Sequence, residues 1–328
     1  MSPPPIFLLS PGSTPGWRSA DEELARGLIA AGAEVEVVRP DPPPQVPTFA
    51  ATDLLWALAC RSRAAALPAE GVILYCSITA ALLWPRPGPI RFDTLARENR
   101  PGRHGVWQRP LERRRLREAP LLVPMAEGNT ALPEGIERVV VPVAVGPSGP
   151  ASPERPIAAI TYGANPQKKG MRRVVEAFAK VRREGEELLI AGCTEADLAR
   201  VGAAGVEGVK AVGHLTRDRY RALLRSARVY ICAPQREDYG IAQLEALADG
   251  CQLVTTPSPG PYPALGIARA LDPRLVGEDL AKGLRTALDD PLPDYHRRAL
   301  ELLTPFSPAA VQERIANRLL PALRRLSG

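Results

Sequence analysis

Short apolar runs alternate along almost the whole chain with segments whose apolar residues recur at helical spacing. In the first half, Ile6 to Ser10, Val35 to Val38, Val72 to Cys76, Ile90 to Phe92, Leu121 to Pro124 and Val139 to Val143 read as strands. Helical patterns such as Ala20 to Ala31 separate them. The second half repeats the scheme with Ile157 to Gly163, Glu187 to Ala191, Val209 to Val212, Arg228 to Ala233 and Gln252 to Thr255. Such alternation predicts an α/β protein with parallel sheets covered on both faces by helices, and ligands at the carboxyl ends of the strands. The stretch Val145-Gly-Pro-Ser-Gly-Pro-Ala-Ser-Pro153 reads as a linker. It divides the chain into a first Rossmann-like domain over 1–148 and a second over 154–305, followed by a closing helical segment over 306–328.

The densest chemistry lies in Glu237-Asp-Tyr-Gly-Ile-Ala-Gln-Leu-Glu245. A strand runs in from Arg228, and Ile241, Leu244 and Leu247 then keep helical spacing until Asp249-Gly250 stops the helix. The amides of Tyr239, Gly240 and Ile241 thus lie at a helix start, which offers unpaired donors and positive dipole to a phosphate. Tyr239 and Glu245 stand six helical rises apart, roughly 9 Å. That spacing suits a sugar near Glu237, a diphosphate over the helix start and a ribose near Glu245. A second reading also fits: acids at a helix N-terminus stabilise the dipole without any ligand.

A second cluster is Asn165-Pro-Gln-Lys-Lys-Gly-Met-Arg-Arg173, ahead of a helix with Val174, Val175, Phe178 and Val181 on one face. Lys168, Lys169, Arg172 and Arg173 crowd a helix N-terminus, where the dipole disfavours cations. A bound anion relieves that conflict, and lysine suits a diphosphate. Arg172 and Arg173 read more simply as solvated positions.

Both segments resemble the signature of family-four retaining glycosyltransferases of the GT-B fold, also called glycosyltransferase group 1. In that family two glutamates eight positions apart flank a Phe/Tyr-Gly-hydrophobic step, then Glu-Ala-x-Ala-x-Gly leads into a strand; Glu237, Tyr239-Gly240-Ile241 and Glu245 to Gly250 carry it here. Lys169-Gly170 with Val174-Val175-Glu176-Ala177-Phe178 resembles the family's Lys-Gly step. The resemblance implies two doubly wound Rossmann-like domains facing across a cleft, and a last helix crossing back to the first domain. It further implies retaining transfer from a nucleotide diphosphate-sugar, with Lys169 on the donor diphosphate. The acceptor attacks on the face the phosphate leaves, and that phosphate takes the proton. One departure concerns the arginine that family members place about six residues upstream of the lysine, where this chain has Gly163.

Other positions carry weaker signals. Ser10-Pro-Gly-Ser-Thr-Pro-Gly16 follows a strand, Gly12 and Gly16 permit close backbone approach, and Ser19 with Glu22 forms a capping box. The resemblance implies that this loop, Gly16 included, lies beside the diphosphate and acceptor. Family members carry a histidine followed by an aspartate in the first domain; this chain has Phe92-Asp93. Asp93 is therefore a candidate sugar or acceptor contact, or else a turn cap. His214 and Leu215 fall at a strand end where the family binds the nucleobase edge, and a surface loop is the alternative.

Composition adds bounds. The 328 residues carry a net charge of +6, and ten arginines against three acids fall within the segment 86–117. That run reads as a solvated helix face, as a patch for an anionic membrane, or, least readily, as a nucleic-acid surface. No apolar run of about 18 residues predicts a membrane span, and the N-terminus lacks the basic region of a secretory signal. Five scattered cysteines, Cys60, Cys76, Cys193, Cys232 and Cys251, fit free thiols in a cytoplasm, at most peripheral to the inner membrane face. No Asp-x-Asp pair or histidine cluster predicts a metal site, and no cofactor is expected beyond the nucleotide-sugar substrate. Two alternatives to transfer stay open: a quiet scaffold binding a nucleotide-sugar or protein partner, and a nucleotide-sugar epimerase.

Overall fold

A computed structural model describes residues 4–44, 46–100, 102–128, 132–150, 152–260 and 262–326. The chain divides into two units, Met1–Ala144 with Pro308–Gly328, and Val145–Ser307.

In the first unit β1 (Ile6–Leu9), α1 (Pro15–Ala30), β2 (Val35–Val38), α2 (Phe49–Ala65), β3 (Val72–Tyr75), α3 (Ile78–Ala81), β4 (Ile90–Phe92), α4 (Ala96–Asn99), α5 (Gln108–Glu118) and β5 (Leu122–Pro124) follow one another. The strands form one parallel sheet in the order β2-β1-β3-β4-β5. Both faces of β1 are buried because its side chains alternate between two cores. Ile6 and Leu8 meet Leu24, Leu28 and Leu74 on one face, whereas Phe7 and Leu9 meet Ile73, Tyr75 and Leu116 on the other.

The second unit runs β6 (Ile157–Tyr162), α6 (Met171–Val181), β7 (Leu188–Ala191), α7 (Glu195–Arg200), β8 (Val209–Gly213), α8 (Arg217–Ser226), β9 (Ala227–Cys232), α9 (Ile241–Ala248), β10 (Gln252–Thr255), α10 (Pro263–Leu271), α11 (Leu280–Asp289) and α12 (Tyr295–Leu302). Its parallel sheet has the order β10-β9-β6-β7-β8. The order reverses between β6 and β9, the switch point at which the loops after two adjacent strands diverge and leave a ligand crevice. The chain ends in the first unit with α13 (Pro308–Arg314), a π-helical turn (Ile315–Leu319) and α14 (Leu320–Arg325). Val311, Ile315, Leu319 and Leu323 of this segment complete the first core cluster of that unit.

Two local expectations are corrected. Helix α1 begins at Pro15 and is capped by Thr14, whose Oγ1 accepts the Trp17 amide at 3.2 Å, so Ser19 is no cap and Gly16 lies inside the first turn. Pro15 causes this, since its fixed φ suits the first helical position. Val139 to Val143 is not a strand. It runs beside β5 with two ladder bonds, Val139 N to Leu122 O and Val141 N to Pro124 O, and Pro142 then has no amide to continue. The Pro/Gly/Ser stretch begins at the boundary between the two units and is fastened to the second: Arg221 donates to Gly146 O at 2.7 Å, and Asp249 accepts from the Ser148 amide and hydroxyl at 2.8 and 2.9 Å.

The arginine-rich segment is largely spent on the fold. Arg86 holds the carbonyls of Pro68 and Ala69, Arg100 holds Asp53, and Arg109 holds Gly102 and Gly105. Arg115 lies over the Trp84 ring and binds Leu82 O and Glu118. Arg91 is fully buried against Asp21, which also accepts from Ser10. Burial pushes the Asp21 carboxyl up, and Arg91 and Ser10 partly offset it. Removing one member of such a pair leaves an uncompensated buried charge, a cost of about 3–5 kcal/mol. All five cysteines are free and buried.

Glu112, one of the three acids in that segment, is buried and accepts the Ala96 amide at 2.5 Å, so it caps α4 from a neighbouring helix. Burial pushes its carboxyl up to about 7, against the pull of the Ala96 and Arg97 amides. Because the folded state holds this proton more tightly than the unfolded chain, the stability it contributes is full below the ordinary glutamate range and is lost as the pH rises through about 7. Denaturant titrations from acid to neutral pH should therefore show the native chain losing about 3 kcal/mol relative to Glu112→Gln, in which the slope is absent.

Candidate functional site

The candidate site forms where the loops after β6 and β9 meet. Gly170 caps α6 in the left-handed region at φ +65°, and a Cβ there would stand 2.0 Å from Ala233 O. Only glycine fits this approach. Lys168 O accepts the Gln235 amide at 3.0 Å, so the two loops are clipped together. Lys169 Nζ then reaches Glu237 Oε2 at 2.6 Å, Lys168 reaches Asp238 at 3.2 Å, and Arg236 holds the other Asp238 oxygen at 2.8 Å.

The loop after β10 closes the site from a third side. Pro259 O accepts the Glu237 amide at 3.1 Å, and a Cβ on Gly260, at φ +123°, would stand 1.9 Å from Glu237 O. Gly240 caps α9 at φ +83° with no side-chain cap, and the Tyr262 ring lies against it. The first bond of the α9 ladder is Leu244 N to Gly240 O, so the amides of Ile241, Ala242 and Gln243 precede it at the positive end of the helix.

One turn along α9, Glu245 Oε1 accepts from Arg217 Nη2 at 3.1 Å and from Arg221 Nη1 at 3.4 Å. Arg221 is buried and also binds Asp249 at 2.5 Å. Glu237, Lys168, Lys169, Tyr239, Gly240, Ile241 and Glu245 therefore lie in the two clipped loops and the helix that one of them opens. His214 is exposed and Leu215 half-buried, just past β8 at the sheet edge. Gly16 and Asp93 belong to the first unit. Asp93 follows β4, half-buried, and its carboxylate accepts the Thr94 amide at 2.6 Å, the local turn contact one of its two readings expects. Among the described residues no three His, Cys, Asp or Glu side chains converge as metal ligands.

Comparison with known proteins fits this geometry. Residues 157–290, which contain both loops and α9, match the family model of glycosyl transferases group 1. Over that stretch the chain is similar to the glycosyl transferases of group 1. Among solved structures, sucrose-phosphate synthase from Thermosynechococcus elongatus is similar at a TM-score of 0.74 and 15% identity over 98% of this chain and 99% of that one. WaaG, a glycosyltransferase involved in lipopolysaccharide biosynthesis, is similar at 0.66 and 15% over 98% of each chain. Anabaena HepE, solved with UDP and glucose, is similar at 0.63 and 13% over 96% of this chain and 99% of that one. At these identities the likeness is one of fold, and with the two five-stranded parallel sheets it is the GT-B fold. A search of curated protein sequences gives no match.

Four functional candidates escaped the sequence reading. Arg217, Arg221, Gln243 and Asp249 all touch the signature glutamates or their partners. Arg221 carried one legible signal, a charge between the buried Tyr220 and Leu224 of α8.

Within the stretch that matches the family model, position 163 is closed to an arginine. Gly163 is buried, and a Cβ there would meet Ile190 at 3.0 Å and Cys193 and Met171 at 3.1 Å. Gly163→Arg is expected to lower stability by about 1–3 kcal/mol through overpacking alone, with a further cost for the buried charge, and to leave nucleotide binding no tighter. The denaturant midpoint together with nucleotide titration checks this.

Proposed function

We propose that the chain is a retaining glycosyltransferase that moves a sugar from a nucleoside diphosphate-sugar to an acceptor hydroxyl without a metal. The observation that carries this reading is the Lys169–Glu237 contact at the uncapped start of α9, with Glu245 farther along the same helix. The donor diphosphate lies over the free amides of α9, where Lys168 and Lys169 neutralise it. Glu237 contacts the sugar, Tyr239 to Ile241 line the phosphates, Glu245 takes the ribose, and His214 with Leu215 borders the base. Gly16 is assigned to donor binding, and Asp93 to contact with the sugar or with the acceptor hydroxyl.

In the transfer, the acceptor oxygen forms its bond to the anomeric carbon on the face from which the phosphate departs. The carbon–phosphate oxygen bond breaks with its electron pair on the diphosphate, and the acceptor proton passes to that phosphate. Lys169 stabilises the developing charge.

The solved structure of HepE with UDP and glucose makes uridine the first base to test. A cytoplasmic location belongs to the same reading, since five free, buried thiols suit a reducing compartment. No helix among the described residues is long and apolar enough to cross a membrane. Contact with an anionic membrane narrows to the exposed Arg103, Arg113 and Arg117, since most other arginines of the segment hold carbonyls or carboxylates.

The second reading, binding without transfer, is motivated by two departures from the family pattern: Gly163 stands where the arginine is expected, and Phe92-Asp93 where the histidine is. Thermal shift against uridine, guanosine, adenosine and thymidine diphosphate-sugars tests both, followed by assay of nucleoside diphosphate release with candidate acceptors. Saturation at 100 times Kd is expected to add about 2.7 kcal/mol of stability. Glu245→Ala should raise Kd about tenfold, which cuts the stabilisation at the same ligand concentration to about 1.4 kcal/mol, and chelation of divalent metal should leave the response of the unsubstituted chain unchanged. Stabilisation without release under any acceptor would favour the scaffold, and conversion of the donor without acceptor the epimerase.

A further inference from the structure

Glu237 is held by a second group besides Lys169. Gln243, the third residue of α9, is 1% exposed, and its Nε2 donates to Glu237 Oε2 at 2.9 Å. A carboxylate only accepts, so the amide must turn its nitrogen toward Glu237. The cost of that orientation is visible: Gln243 Oε1 is buried with no hydrogen-bond partner, against Gly240. An orphaned buried carbonyl costs about 1–3 kcal/mol, so leucine would suit the fold at least as well.

The surroundings leave the amide no other use. Its Nε2 also points to Cys232 Sγ at 3.8 Å, and Cys232 in turn lies against Thr255 and the Tyr262 hydroxyl. Glu237 receives both of its hydrogen bonds on Oε2, one from Lys169 and one from Gln243. Among the described residues none reaches Oε1.

We propose that Gln243 is a positioning residue that, with Lys169, fixes Glu237 by one oxygen and presents Oε1 to a hydroxyl of the donor sugar. The proposal rests on the donor-binding reading above and deepens it by separating the sugar contact from the nucleotide contact. A charge-assisted bond of this kind holds the carboxylate in one rotamer before the sugar arrives, so ordering is not lost on binding. Gln243 itself touches no reacting atom.

The test compares affinity for a nucleoside diphosphate with that for the same nucleotide carrying its sugar, by calorimetry on the full chain. In Gln243→Leu the gain in affinity due to the sugar should fall about tenfold. The affinity for the free diphosphate and the thermal midpoint should hold. In Gln243→Glu a second carboxylate faces Glu237, and one of the pair keeps a proton above the ordinary glutamate range. The other titratable groups there are Lys169, Cys232, Tyr262 and Tyr230, and burial pushes the thiol and both phenols up and keeps them neutral. The sugar-dependent gain should then survive in acid, where the shared proton mimics the amide, and disappear as the pH rises. The unsubstituted protein should show no such fall.

An unchanged sugar gain in Gln243→Leu, or a flat pH profile in Gln243→Glu, overturns the proposal and leaves donor binding standing. Equal weakening of both ligands with a lowered midpoint assigns Gln243 a structural role only, and likewise overturns it. If the unsubstituted chain binds neither ligand, the donor-binding reading falls and the proposal falls with it.

Discussion

The loops after β6 and β9 approach so closely that a glycine α-carbon is pressed on a carbonyl oxygen, and the candidate site depends on that contact. Had Gly170 a side chain, its Cβ would overlap Ala233 O and the Lys168–Lys169 segment would be lifted off the β9 loop. The two lysines would then lose the carboxylates they face. The sheet order explains why these loops meet, because β6 and β9 are neighbours whose crossovers leave in opposite directions. Backbone sterics therefore place the cations, and electrostatics then holds them.

The same site shows how charge is handled where several ionic groups share a small volume. Lys169, Glu237 and Gln243 form one set, and Arg217, Glu245, Arg221 and Asp249 another. Each set has one member on α9, Gln243 in the first and Glu245 in the second, so the helix ties them together. The first set keeps an oxygen in reserve, whereas the second is neutralised from two sides. A ligand at Glu245 must share that carboxylate with arginines already in place, and a ligand at Glu237 need not.

Strand and helix identity were legible because parallel strands buried on both faces read as unbroken apolar runs: Ile6–Leu9 and Val72–Tyr75 carry all four side chains inside. Val139 to Val143 misled for the same reason, since an apolar run signals burial and not a full ladder. The signature glutamates were legible through their spacing on a helix. Their pairings were not, because the partners come from elsewhere in the chain: Arg217 lies 28 positions from Glu245, and Lys169, itself a candidate from the sequence, lies 68 from Glu237. The arginine-rich segment shows the same limit at larger scale. Arg91 finds Asp21 at a separation of 70 and Arg100 finds Asp53 at 47, so a run that reads as surface charge is partly interior scaffolding.

The buried thiols have a practical side. Burial pushes Cys60 and Cys251 up to about 12 and Cys193 up to about 11, and it raises Cys76 and Cys232 as well. A thiol that is neither exposed nor ionised is inert to alkylation until the structure around it opens. Two lie in the first unit and three in the second. The chain thus carries its own set of silent labels, and the order in which they react under mild denaturation would record which half comes apart first.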